Sequence, residues 1–237
     1  MVMEEARQRR RARGAITLAS YNIRDGRRGG INSAARALGK GGVDVAVVQE
    51  TKLKNPSFAP RTGFGYQIHT TAAGTGNCGG VSLLVREGGA FGIEEVKVWG
   101  ENVLSFELQV GRGEEERWHC VGAYLPPSDK KGKTQNLLTT AIRAQPADAR
   151  LMVLGDLNAD LDSPRGRQED VLAAEATEQG LVCASTHFLP ARTRNMRGRW
   201  TFRRANRTPE GERRWVRGKP DYVLVRERDR QRVRSCR

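Results

Sequence analysis

At 237 residues with 38% hydrophobic content, the chain is long enough for one large α/β or β-sandwich core or two small ones, and no linker or repeat divides it. Its formal charge is +14 and its pI about 10.4. Residues 191–237 alone carry seventeen Lys and Arg against five Asp and Glu, so polyanions are the expected partners, nucleic acid before phospholipid. No apolar run has membrane-spanning length, and residues 1–14 lack the apolar centre of a signal peptide. Cys78, Cys120, Cys183 and Cys236 are too scattered, and too far from any histidine cluster, to suggest a zinc site. These features lead us to expect an intracellular, nuclear protein with reduced thiols and no membrane partner.

In chain order, residues 1–14, with Arg7, Arg9, Arg10, Arg11 and Arg13, read as a disordered basic arm ahead of a domain over 15–237. Ala15 to Asn22 alternates as a strand does and delivers Asn22 at its end. A basic glycine loop follows over 26–30. Ile31, Ala34, Ala35 and Leu38 then recur at helical spacing until Gly41 and Gly42 end the helix. Val43 to Thr51 is a largely apolar strand that reaches Glu50 at its end. Further strands read at Gly79–Val85, Gly92–Val98 and Val103–Val110, the last two joined by a bend at Glu101–Asn102. Trp118 to Leu125 is a strand halted by Pro126 and Pro127 just after Tyr124. A helix carrying Leu137, Leu138, Ala141 and Ile142 leads to Leu151–Leu154, four apolar residues in a row that read as a strand buried on both faces. Arg167–Gly180 reads as a helix, Phe188–Arg214 as an arginine-laden loop with a short strand at Trp200–Phe202, and Asp221–Val225 as a strand with its acid first. Strands separated by helices, with hairpin-like pairs mixed in, argue for α/β layering.

Chemistry gathers at the strand ends. If the backbone stays extended past Gly155, Asp156 and Asn158 point the same way. A carboxylate can orient or deprotonate a water there, and a neutral amide can hydrogen-bond an anionic oxygen without repulsion, which suits attack on a phosphate. The competing reading is an ordinary Asx-rich turn after a strand. If the Asp221 strand runs antiparallel to those ending in Asn22, Glu50 and Asp156, all these polar ends meet on one rim, together with Tyr124. Carboxylates with amide and water ligands are what a hard cation such as Mg²⁺ takes.

Tyr21-Asn22-Ile23, Val48-Gln49-Glu50-Thr51-Lys52, Ala123-Tyr124-Leu125-Pro126-Pro127, Gly155-Asp156-Leu157-Asn158-Ala159 and Pro220-Asp221-Tyr222-Val223-Leu224 together resemble, in order and approximate spacing, the endonuclease/exonuclease/phosphatase superfamily. Gln49 to Leu53, Gly79-Gly80-Val81 and the arginine-rich tail from Arg226 look most like the endonuclease domains of non-LTR retrotransposons. The resemblance implies a four-layered α/β sandwich of two packed mixed β-sheets flanked by helices. It implies a DNA endonuclease that requires Mg²⁺, with Mn²⁺ as the substitute, and whose further partner is the reverse transcriptase part of the same polyprotein. By the same resemblance Glu50 ligates the metal with Asn22 beside metal and phosphate, Asp156 activates the attacking water, and Asn158 and Tyr124 stabilise the phosphate oxygens and the leaving group. The acid matching Asp221 orients a histidine of a Ser-Asp-His motif beyond the last strand. That motif does not occur before Arg237, and His69, His119 and His187 stand in other contexts, so a C-terminally truncated fold lacking its last strand and loop is expected.

Arg192, Arg194, Arg197 and Arg199 are the candidate nucleic-acid contacts, set against the plainer reading of a solvated charged face. Two other functions stay open: a catalytically silent nucleic-acid-binding remnant of such a domain, and a phosphoesterase of the same fold acting on another phosphate ester.

Overall fold

Val43–Thr51 folds as its apolar run requires: Val45–Gln49 is a strand buried at every position. The computed structural model describes residues 15–27, 29–55, 57–74, 79–89, 91–110, 117–127, 129, 132–159, 161, 167–184, 202–207, 213–218 and 221–233. The first half of the chain supplies β1 (Leu18–Asn22), α1 (Gly30–Lys40), β2 (Val45–Gln49), β3 (Ser57–Gly63), β4 (Tyr66–Thr70), β5 (Val81–Arg86), β6 (Phe91–Gly100) and β7 (Val103–Val110). The second supplies β8 (Arg117–Tyr124), α2 (Lys133–Arg143), β9 (Arg150–Asp156), α3 (Arg167–Glu178), β10 (Leu181–Cys183), β11 (Phe202–Arg207), β12 (Arg213–Gly218), β13 (Asp221–Arg226) and a 3₁₀ segment at Glu227–Arg232.

These strands form two large sheets, ordered β1-β2-β5-β4-β3 and β10-β13-β9-β8-β7-β6. Each is antiparallel except for one parallel pair, β1 with β2 and β8 with β9. Those pairs are the ones whose strands are joined through a helix, α1 in the first sheet and α2 in the second, as a parallel pairing demands.

Side-chain parity then sorts the layers. Val45 and Val47 of β2, with Leu83 of β5, meet Leu104 and Phe106 of β7 and Met152 and Leu154 of β9 in the core between the sheets. Alternate residues Ala46, Val48 and Leu84 pack instead on Ala35 and Leu38 of α1. On the far side, Val121, Ala123, Leu151 and Val153 pack on Leu138, Ala141 and Ile142 of α2 and Leu172 of α3. Helix, sheet, sheet, helices is the four-layered sandwich expected from the resemblance. Each fully buried leucine contributes about 1.5–3 kcal/mol to holding it together.

One reading is corrected: where an arginine-laden loop over Phe188–Arg214 with a short strand at Trp200–Phe202 was expected, the described residues form a two-stranded hairpin of β11 and β12 that continues to Gly218. The β3–β4 hairpin and the three-residue β10 were not foreseen from the sequence: β3 (SFAPRTG) holds a proline and a glycine in place of clean alternation, and β10 is too short to show any. The basic arm over 1–14, His187, and Arg192, Arg194, Arg197 and Arg199 lie outside the described residues.

Candidate active site

The two parallel pairs end at the same rim. β1 and β2 pack across β9, so the residues that finish β1 and β9 face one another over the mouth of the inter-sheet core. Asn22 is the last residue of β1. Its Nδ2 donates to Glu50 Oε1 at 2.8 Å and to Asp156 Oδ2 at 2.7 Å. One amide thus uses both of its hydrogens to bridge an acid of its own sheet and an acid of the other. Its Oδ1 accepts the Arg24 N–H at 2.8 Å, which fixes which end of the amide faces the carboxylates.

Asp156 closes β9 and is buried. It lies between two neighbours in register, Tyr124 at the end of β8 and Asp221 at the start of β13. The antiparallel β13 therefore brings its leading acid to the rim where the other strands end, as the reversed polarity of its sequence implied. Only the backbone of Asp221 is described.

The chain does not stay extended beyond Asp156. Asn158 turns into the left-handed region at φ 44°, and its N–H donates to Asp156 Oδ1 at 3.2 Å. The competing Asx turn is therefore what forms, and an extended Asp156–Asn158 pair is not. The turn and a site are compatible, however. One oxygen of Asp156 takes the turn and the other takes Asn22. The Asn158 side chain is fixed by donating its Nδ2 to the Leu125 carbonyl at 2.9 Å and is exposed at the rim, with one amide hydrogen unused among the described residues. Tyr124 is buried beside it.

Glu50 sits just past β2 with φ 54°, followed by Lys52 at φ 53°. Left-handed backbone at non-glycine residues is costly and persists only where surroundings hold it. Here the Thr51 and Lys52 N–H groups donate to the carbonyls of Gly80 and Gly79 at 3.2 and 3.0 Å. Lys52 Nζ lies 3.8 Å from Glu50 Oε2. Around the neighbouring loop, Arg27 grips Asp25 through Nε and Nη2, and that hydrogen bonding holds the Asp25 carboxyl well below the usual carboxylate range.

Among the described residues no group of three or more His, Cys, Asp or Glu is placed to hold a metal. The donor set that is present, Glu50 and Asp156 with a shared amide, still suits Mg²⁺, which is commonly held by one or two carboxylates while water and substrate phosphate complete its shell. The two described histidines stay away from the rim. His119 lies five residues before Tyr124 on β8, with Nδ1 3.1 Å from Gln145 Oε1 and 3.6 Å from Glu107. His69 stands on β4 opposite Leu83, and burial lowers its pKa.

The sequence reading named Asn22, Glu50, Tyr124, Asp156, Asn158 and Asp221, and the strand ends carrying them do converge. It gave no role to Lys52 or Asn102. Lys52 was legible as the residue after the Glu50–Thr51 step, whereas Asn102 works through partners more than twenty residues away and left no local signal.

Two packed mixed sheets thus gather acids and amides where their parallel pairs end, an arrangement suited to attack on a phosphate ester. Residues 19–236 match the Endonuclease/Exonuclease/phosphatase family, and the chain belongs to it. Among solved structures it is similar to the endonuclease domain of TRAS1, a telomere-specific non-LTR retrotransposon, with 14% identity, 90% of this chain and 86% of that one covered, and a TM-score of 0.62. An AP endonuclease from Archaeoglobus fulgidus is 15% identical over 92% of this chain and 89% of its own, with a TM-score of 0.63. The 3'-5' exonuclease NExo from Neisseria meningitidis is 17% identical over 92% and 90%, with a TM-score of 0.62. No curated protein matches the sequence at a significant level. No described helix is long and apolar enough to cross a membrane.

Proposed function

We propose that the protein is a metal-dependent DNA endonuclease of the retrotransposon type, hydrolysing a backbone phosphodiester. The observation that carries this reading is the Asn22 amide, which draws Glu50 of one sheet and Asp156 of the other to a single point. Two acids held this closely repel unless donors or a cation intervene, and a structural turn has no need of such an arrangement.

In this reading Glu50, with Asn22 beside it, holds Mg²⁺ or Mn²⁺. When bound, the ion neutralises charge that builds on the phosphate. Asp156, oriented by Asn22 on one oxygen and by the Asn158 N–H on the other, takes the proton of the attacking water. The remaining amide hydrogen of Asn158 and the Tyr124 hydroxyl hydrogen-bond the phosphate oxygens and the leaving group. Asp221, in register with Asp156, is a further acidic residue of the same rim. Arg192, Arg194, Arg197 and Arg199 supply sequence-independent contacts to the DNA backbone. The likeness to the TRAS1 domain favours a nicking enzyme that works beside a reverse transcriptase in the nucleus.

The test is nicking of supercoiled plasmid with and without chelator, by the wild type, Glu50→Gln and Asp156→Asn. Nicking should vanish in chelator and return with Mg²⁺ or Mn²⁺, and each variant should lose roughly 10²–10⁴-fold in rate. Activity that survives chelation, or that persists in Asp156→Asn, overturns the assignment.

A further inference from the structure

Asn102 occupies the turn between β6 and β7 and is 8% exposed. A turn residue in a hairpin is ordinarily solvated, so its burial asks what it touches. Its side-chain Oδ1 accepts the Gly80 N–H at 2.9 Å, and its backbone carbonyl accepts the Tyr124 N–H at 2.9 Å. Gly79 and Gly80 are the residues whose carbonyls receive the Lys52 and Thr51 N–H groups. A continuous path of hydrogen bonds therefore runs from the Glu50 loop of the first sheet, through Gly79–Gly80 and Asn102, to Tyr124 of the second.

The path is narrow. Both glycines have positive φ, 82° and 85°, and a Cβ on Gly79 would collide with Asn102 Oδ1 while one on Gly80 would press on Thr51 Oγ1. Two glycines in succession let the backbone reach Asn102 on one side and the Glu50 loop on the other. Thr71 closes the same corner: its hydroxyl donates to the Glu101 carbonyl at 2.6 Å and accepts the Val81 N–H at 2.9 Å. The hairpin turn is thus bolted to the first sheet at two successive residues, Glu101 and Asn102.

We propose that Asn102 is a positioning residue of the phosphoesterase site, a strut that sets the placement of Glu50 relative to Tyr124 across the gap between the sheets. Glu50 has a left-handed backbone that the Gly79 and Gly80 carbonyls restrain from beyond its own strand. Losing the Asn102 side chain leaves the Gly80 N–H without its acceptor and frees that restraint. The inference rests on the proposed hydrolytic reading and adds to it a residue that touches neither substrate nor metal.

The test compares the full chain with Asn102→Ala and Asn102→Asp, the second keeping an oxygen that can accept from Gly80. Direct Mn²⁺ binding, followed by the loss of the free-ion electron paramagnetic resonance signal, is read beside plasmid nicking and thermal unfolding. Asn102→Ala should weaken Mn²⁺ binding severalfold and lower the nicking rate on the order of 10- to 100-fold, the cost of a displacement of about an ångström at a reacting centre. It should remain folded at the assay temperature, and Asn102→Asp should recover most of both losses. An alanine variant that melts earlier yet binds Mn²⁺ and nicks as the wild type does makes Asn102 purely structural and overturns the proposal. So does an aspartate variant that recovers nothing while staying folded. If the wild type binds Mn²⁺ but does not nick, the nuclease reading fails, and the binding comparison still decides the strut.

Discussion

The two parallel pairs, β1/β2 and β8/β9, are built alike and end differently. Each is a strand, a helix and a parallel strand. In the second sheet the acid is part of the strand itself: Asp156 closes β9, with β8 and β13 hydrogen-bonded on its two sides. In the first sheet β1 is an edge strand, and the acid comes after β2, on a loop whose Glu50 and Lys52 both have positive φ. A residue between two neighbours in a sheet cannot shift without breaking two ladders. A loop residue is placed only as well as its few restraints hold it. The molecule thus combines one rigid acid with one adjustable acid. That division suits a proton acceptor that must meet a water at fixed distance, and a cation ligand that must accommodate an ion and its waters.

Asn22 is where the two halves meet, so its replacement should do the most damage. Asn22→Ala removes both bridging hydrogens and leaves two acids facing each other without a donor between them, and a loss of nicking rate of at least about 10²-fold is expected by analogy with removal of one preorganised donor. Asn22→Asp should be no better, and it tests the electrostatics separately. A third carboxylate beside two others raises the pH at which they ionise, so the acid limb of the pH–rate profile should move to higher pH. A variant profile that coincides with the wild type would mean that Glu50 and Asp156 are not coupled through this amide.

Gly155 tests the rigid half alone. A Cβ there would overlap the Ala123 carbonyl oxygen of β8, and the obstacle is backbone, which cannot swing aside as a side chain does. Gly155→Ala should destabilise the fold by roughly 1–3 kcal/mol, as overpacking does, measured by urea unfolding. It should lower activity by displacing Asp156 from Tyr124. If stability falls and the rate per folded molecule does not, Asp156 is held by Asn22 more than by its ladder, and the contrast between the halves is weaker than drawn.

The same contrast explains what was legible in the sequence. Central strands have to be apolar on both faces, so Val45–Val48 and Leu151–Leu154 could be read directly, and the polar residues just beyond them marked the rim. The placement of Asp221 followed from its position at the start of a strand instead of the end. Backbone direction after the strands was not legible. The left-handed turn at Asn158 depends on the Leu125 carbonyl and the Asp156 carboxylate, and the turns at Glu50 and Lys52 depend on carbonyls from Gly79 and Gly80. Asn102 looked like an ordinary bend because its partners, Gly80 and Tyr124, are 22 residues away on either side. Local pattern finds elements and the chemistry at their ends, but it does not find the struts between sheets.

Lys52 offers the smallest effect and the finest test of the adjustable half. Its ammonium lies 3.8 Å from Glu50 Oε2, with 19% of the side chain exposed, so it is a resident cation at the carboxylate proposed to hold Mg²⁺. Unit charges about 4 Å apart interact by about 1 kcal/mol in water and about 4 kcal/mol in the partly screened conditions near a protein surface. Because about 1.4 kcal/mol corresponds to a factor of ten, even a modest part of that competition is measurable. Lys52→Met should therefore lower the Mg²⁺ concentration needed for half-maximal nicking by roughly two- to tenfold, since the ion no longer displaces an ammonium. It should raise KM for the DNA at saturating Mg²⁺, because the phosphate loses a nearby positive charge. The two changes run in opposite directions, which a general loosening of the loop would not produce. If the half-saturating Mg²⁺ concentration rises instead, Lys52 acts as a brace that holds Glu50 in place, and the first pair has less freedom at its end than a loop position implies.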